Sequence, residues 1–422
     1  MLAWPLLAEL VLGFGVGLLG LWLASRESDT ASAAFALSNQ VLGTFFLLFR
    51  VISMGVSVVI TQNLGAGHVV GAHQVARAAI GASTWLGIGA AIVVFTGAGP
   101  LLDVVDAPAA VHALGQPYLQ MLAFALLLDA YNATMSSVLR AHLRTREAMV
   151  NILAMHSLHL ALCLPLMRGF GPLPAMGLPG FALAMAISRG FGMAVHLWLW
   201  RTQLHLQTRA GDWWRLRAER LGPVLHIGLP GAAEMVAYRM AMLVSMAVVS
   251  GMGTLQLATH TYASQLMNLI VLFTVAIGFA GEILVGHQIG AGQLHQANRM
   301  VRRSLLLGLA VSFIIATLVA CSAPWTLQLF TRDPKIIASA TTLLWITVLL
   351  EPGRTCNVVL INALRATGDA RFPVMVGVWI AYALDEGVRG LMMAARWYGH
   401  GWVGAARRTR HRVLRQRRAL LA

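Results

Sequence analysis

The sequence predicts an all-α polytopic membrane protein of two pseudo-symmetric six-helix bundles. The second bundle is about one span short, leaving about eleven transmembrane helices. Three observations carry this prediction. The 422 residues are 58% apolar and 11% charged, with mean hydropathy +0.71, against roughly 45–50% and 25% in a soluble chain. The apolar residues fall in runs of about 20, the length that crosses a bilayer as a helix. The chain also repeats itself at an offset of 225 residues. A soluble enzyme, a disordered chain and a secreted disulfide scaffold are excluded.

Apolar runs and their punctuation place spans at 2–24, 32–60, 79–99, 118–138, 148–167, 177–200, 224–250, 255–285, 304–322, 338–360 and 373–398. The first lacks the basic start of a signal peptide and is too long for its apolar core. Arginine orients the spans, because cytoplasmic connections carry the positive charge. With the N-terminus inside, Arg77, the Arg140–Arg146 group, the five arginines of 201–222, Arg299–Arg303, Arg365 and Arg371 all fall inside. Arg26, Arg168, Arg332 and Lys335 are the basic residues of the outer connections. The tail breaks this parity: an eleventh span would put Arg407–Arg418 outside. A hairpin in 373–398 is too short for two crossings, so a lost span is expected.

The net charge of +15 does not point to nucleic acid, because no soluble basic domain exists to bind it. Cys163, Cys321 and Cys356 form no CxxC pair, and the 14 histidines show no HExxH spacing, so no metal centre is expected. Gly13-x-x-x-Gly17 suggests close helix packing. The glycine loops at 65 and 290 lack the G-K-[ST] ending of a phosphate loop.

The repeat superimposes Pro5, Ala8 and Glu9 on Pro230, Ala233 and Glu234. Gly65-Ala66-Gly67 falls on Gly290-Ala291-Gly292, and Leu139-Arg140-Ala141 on Leu364-Arg365-Ala366. An even number of spans separates the copies, so the repeat is parallel and the substrate path is expected between the halves. The expected organisation is an N-terminal lobe (1–200), a cytoplasmic linker (201–222), a C-terminal lobe (223–403) and an Arg-rich tail (404–422). Arg140 precedes Arg189-Gly190 by 49 residues, whereas Arg365 precedes Arg389-Gly390 by 24. The 25-residue deficit points to span eleven.

Ionisable groups inside a bilayer cost about 2.5–3.5 kcal/mol on insertion scales and are functional candidates. Glu351 with Arg354, and Asp385 and Glu386 with Arg389, have pairing distance along a helix. Glu282 is expected near the interface. Glu9 and Glu234 occupy equivalent places in the two repeats and have no arginine three or four residues away. Asp129 and Asn132 share a helical face. These residues are the candidate substrate- or cation-binding set: Asp129, Asn132, Glu234, Glu351, Arg354 and Glu9. An unpartnered carboxylate suits proton loading, and Asp129 with Asn132 could instead hold sodium. Gly65, Gly67, Gly290, Gly292, Arg140 and Arg365 are expected at hinges.

Two six-helix repeats resemble the MATE family, the multidrug and toxic compound extrusion transporters of NorM type. Each repeat has a G-A-G after its second helix (Gln62-Asn63-Leu64-Gly65-Ala66-Gly67 and His287-Gln288-Ile289-Gly290-Ala291-Gly292) and an L-R-A after its fourth. The resemblance implies a V-shaped pair of bundles and export of amphipathic organic cations in exchange for protons or sodium, with no cofactor. Acidic positions of NorM-like members are Gly20, Tyr238 and Arg354 here, so the coupling ion stays open between proton and sodium. The expected setting is a monomer in a bacterial inner membrane, with the lipid bilayer and small organic cations as partners and no nucleic acid. A lipid-linked oligosaccharide flippase and a non-transporting remnant are the alternatives. No nucleophile–base constellation suggests an enzyme.

Overall fold

The computed structural model describes residues 2–104, 106–169, 174–380 and 386–419, and no strand occurs among them. The first lobe contains α1 (Ala3–Glu27), α2 (Asp29–Gly65), α3 (Val69–Thr96), the short α4 (Ala98–Val104), α5 (Ala109–Ala141), α6 (Thr145–Arg168) and α7 (Leu178–Gln203). The second contains α8 (Ala218–Gly251), α9 (Thr254–Ala291), α10 (Leu294–Thr326), α11 (Pro334–Thr367), α12 (Arg371–Ile380) and α13 (Glu386–Tyr398). The tail forms α14 (Val403–Ala419). Ten of the described helices are long and apolar enough to cross a membrane. Local chemistry sets their ends. The Ser28 hydroxyl accepts from the Ala31 amide at 3.0 Å to start α2, and Asp333 caps α11 ahead of Pro334. Gly292 and Gly368 stop α9 and α11 in the left-handed region.

The eleventh expected span is where the structure differs. Residues 373–398 hold parts of two short helices instead of one long one. At 1.5 Å per residue, α12 and α13 reach about 15 and 20 Å, short of the roughly 30 Å hydrocarbon core. They return to their starting end: the Arg396 guanidinium lies 4.8 Å from the Phe372 ring and donates to Asp369 at 2.8 Å. α12 packs on α8 and α13 on α11, as α6 packs on α1 and α7 on α5. Two short helices thus stand in the second lobe where the first has the long α6 and α7. Because α13 ends near the start of α12, the tail leaves from the end where the lobes meet, and Arg412 Nη2 lies 3.4 Å from Gln62 Oε1. The parity conflict posed by a single eleventh span does not arise.

Both lobes meet at the end that carries most of the arginines. There α2 packs on α8 and α9, and α1 on α9. Leu6 and Leu7 enter a cluster with Ala276, Ala280 and Ile283. Farther along, α8 is exposed on every face, at Tyr238, Met240, Met242, Leu243, Val244 and Met246, so it stands clear of the first lobe toward the other end. The segment after α7 folds onto α3. Asp212 is buried and bound by Arg217 at 2.7 Å, and Trp85 donates to the Trp214 carbonyl at 3.0 Å.

Candidate functional site

The repeated G-A-G sequences sit where α2 and α9 cross. A side chain on Gly65 would strike the His287 carbonyl, and one on Gly290 would strike the Gln62 carbonyl. Gln62 and His287 are themselves repeat equivalents. The first glycine of each motif therefore permits backbone contact between lobes. The second permits the turn, with φ of 70° at Gly67 and 76° at Gly292. Two further bonds obey the same symmetry: Gln62 Nε2 donates to the Ala366 carbonyl at 2.8 Å, and His287 Nε2 lies 2.8 Å from the Ala141 carbonyl. Each lobe thus grips the L-R-A turn of the other. His142, just past α5, joins this layer, and burial pushes its imidazole down to about 4.

One layer deeper lie twin ion pairs. Arg140 Nη1 donates to Glu9 Oε2 at 2.7 Å, and Arg365 Nη2 donates to Glu234 Oε2 at 2.7 Å. Both glutamates lack a local partner in sequence, and the fold supplies one 131 residues away in each lobe. Arg140 and Arg365 are therefore ion-pair partners in the last turns of α5 and α11. Glu282 is buried, not interfacial. It is hydrogen-bonded to Ser57, its own repeat equivalent, and faces Arg365, Arg50 and Arg140.

The first lobe holds an open-mouthed cavity of about 280 Å³. Phe35, Phe46, Phe181 and Met185 form apolar walls, with Asp129, Arg189, His156 and Asn39 as polar groups. Asp129 is also partnered: Arg189 Nε lies 2.6 Å from Asp129 Oδ1. Asn132 donates to the Arg189 carbonyl at 2.9 Å, and its oxygen meets His196 Nδ1 at 3.0 Å. Arg189, His156 and His196 complete this site, and the sequence offered no spacing that linked them to Asp129. Gly13 and Gly17 do not pack closely. They have open space around them and line the cavity.

The second lobe differs at the matching place. Position 354 carries arginine where 129 carries aspartate. Arg354 is paired with Glu351 within α11, as the spacing predicted. The expected pairing of Asp385 and Glu386 with Arg389 lies outside the described side chains. The N-lobe cavity is lined mainly from α1, α2 and α5, with Phe181, Met185 and Arg189 from α7 and His156 from α6; by their packing, α12 and α13 are the shorter counterparts of α6 and α7. Among the described residues no cluster of three or more His, Cys, Asp or Glu could hold a metal ion.

A duplicated helical bundle whose lobes meet at one end, with a cavity in the first lobe and buried charge pairs near that end, defines a two-lobed membrane carrier. The MatE family pattern matches residues 5–164 and again 230–384, with starts 225 residues apart. The chain belongs to the MatE family of membrane transporters. It is 30% identical to "Uncharacterized transporter YisQ" of Bacillus subtilis, over 95% of this chain and 94% of that one. It is 24% identical to "Probable multidrug resistance protein NorM" of Thermotoga maritima, over 90% and 82%. Its fold matches a solved MOP superfamily transporter from Pyrococcus furiosus with a TM-score of 0.81 at 18% identity, covering 100% and 95% of the two chains.

Proposed function

We propose that this chain is a secondary antiporter that exports amphipathic organic cations in exchange for protons by alternating access. The carrying observation is the N-lobe cavity, where aromatic walls surround the Asp129–Arg189 pair. A lipophilic cation gains from aromatic faces and from a carboxylate in a dry site. It would take the place of Arg189 at Asp129. About 280 Å³ suits a small molecule better than a lipid-linked oligosaccharide. The proton reading is favoured over sodium because Arg189 and His196 engage the oxygens of Asp129 and Asn132. The relatives named for multidrug resistance agree with the cargo class. The arginine-rich end is assigned to the cytoplasm of a bacterial inner membrane, which makes the end where the lobes meet the inner one. In this assignment both the N-terminus and the tail are cytoplasmic.

Efflux of a fluorescent cation from proteoliposomes under an imposed proton or sodium gradient tests this. Proton-driven efflux that falls about tenfold in Asp129→Asn is expected. Sodium-driven efflux, or none under either gradient with wild-type protein inserted, would refute it.

A further inference from the structure

The charges where the lobes meet are balanced by one group that the resemblance does not assign. Glu9 is matched by Arg140 and Glu234 by Arg365, each pair inside its own lobe at 2.7 Å. The remaining acid and base lie on the two helices that cross between lobes: Glu282 on α9 and Arg50 on α2. The Arg50 guanidinium packs on α9 itself, 5.6 Å from the Phe279 ring and one turn from Glu282. Its Nε finds no hydrogen-bond partner among the described residues. The groups facing Glu282 are thus Ser57 and Arg50 of α2, Arg140 of α5 and Arg365 of α11. Glu9 of α1 and Glu234 of α8 are held on those two arginines.

We propose that Glu282 is the coupling-proton site of this transporter and that its charge state decides whether the inner ends of the lobes stay together. With Glu282 ionised, three carboxylates meet three guanidinium groups and the buried layer is neutral. Protonating Glu282 leaves one positive charge unmatched in a poorly solvated interface, which is costly unless water enters. Separating α2 from α9 admits that water and breaks the Ser57–Glu282 bond. A proton taken up while the outer side is open would release the inner gate. The proton would then leave to the cytoplasm, restoring neutrality and reclosure. This sequence has the polarity that cation export against proton entry needs, and to that extent rests on the function proposed above.

The gate itself can be measured without transport. Spin labels at the exposed Val70 and Gln296 positions, in a background with the three native cysteines replaced by serine, report the inner separation of the lobes. In nanodiscs the wild-type distance should widen as pH falls. Glu282→Gln should be wide at every pH. Glu282→Gln combined with Arg50→Gln should return to the narrow distance and lose its pH response, because neutrality is restored. Ser57→Ala removes only the hydrogen bond to the charged form, so it should move the opening to higher pH with both distances kept. This milder variant tests the site even if Glu282→Gln fails to fold. A wild-type pH response in Glu282→Gln, a wide double variant, or an unshifted transition in Ser57→Ala would overturn the proposal. A pH-gated distance in a wild-type protein without proton-driven efflux would retain the Glu282 gate and remove only the antiport reading.

Discussion

The two lobes descend from one unit, and the contrast between them separates what the fold needs from what the cargo needs. Both keep the crossing glycine, the turn glycine, and the glutamate–arginine pair on the first and fourth long helices. They differ in the cavity. The first lobe has Asp129 paired to α7, a cavity lined from α1, α2, α5 and α7, and full-length α6 and α7. The second has Arg354 paired within its own helix and a hairpin of half-length helices. Shared features lie at the end where the lobes meet and must register against each other. Features that diverged lie away from that crossing, around positions 129 and 354. The lesson is that duplication symmetry was retained where two copies touch and relaxed where each copy acts alone.

The largest expected effect breaks the shared part. Gly65→Val and Gly290→Val each place a side chain into the facing carbonyl. Each should cut efflux by more than about tenfold, whereas Gly15→Ala, with open space around it, should leave efflux intact. Unequal loss between Gly65 and Gly290 would show that the crossing is not symmetric in function. Next come the twin ion pairs. Arg140→Gln or Arg365→Gln strands a carboxylate and should cost about 3–5 kcal/mol in unfolding measurements. Arg140→Gln should cost more, because the acid it strands, Glu9, is 8% exposed against 17% for Glu234. Glu9→Gln added to Arg140→Gln should recover part of the loss. A sharper test of divergence is Arg354→Gln, expected to change cation efflux by less than about threefold while Asp129→Asn costs about tenfold. Equal losses would mean that the second lobe also binds cargo.

The smallest effect is on pH stability. The folded His142 imidazole is held down to about 4 by burial, with His73 and His287 nearby, while an exposed histidine titrates near 6.5. Between these values the unfolded chain binds the extra proton, so stability is complete above about 6.5 and declines as pH falls toward 4. His142→Gln should flatten that decline in thermal unfolding scans of purified protein.

Much of the architecture was legible because membrane insertion writes itself into composition. A helix that must be about 20 apolar residues long is visible without its neighbours, and the 225-residue offset revealed the duplication. The Glu351–Arg354 pair was legible because three residues is a helical neighbour distance. The partners of Glu9, Glu234 and Asp129 were not. Each arginine comes from another helix, 131 residues away for the two glutamates, and no local spacing encodes a meeting of two helices. Length alone argues against the hairpin, because 373–398 is too short for two crossings; its helices are each too short to cross and pack on α8 and α11 instead.

By itself, the sequence determined the class of molecule, its internal repeat and the charge asymmetry of its connections, because these depend on local hydrophobicity and residue count. Tertiary structure decided which charges are neutralised, where a cavity remains, and that α13 ends beside the start of α12. Those outcomes depend on the meeting of distant helices, where burial makes an unpaired charge far more expensive than it is in water.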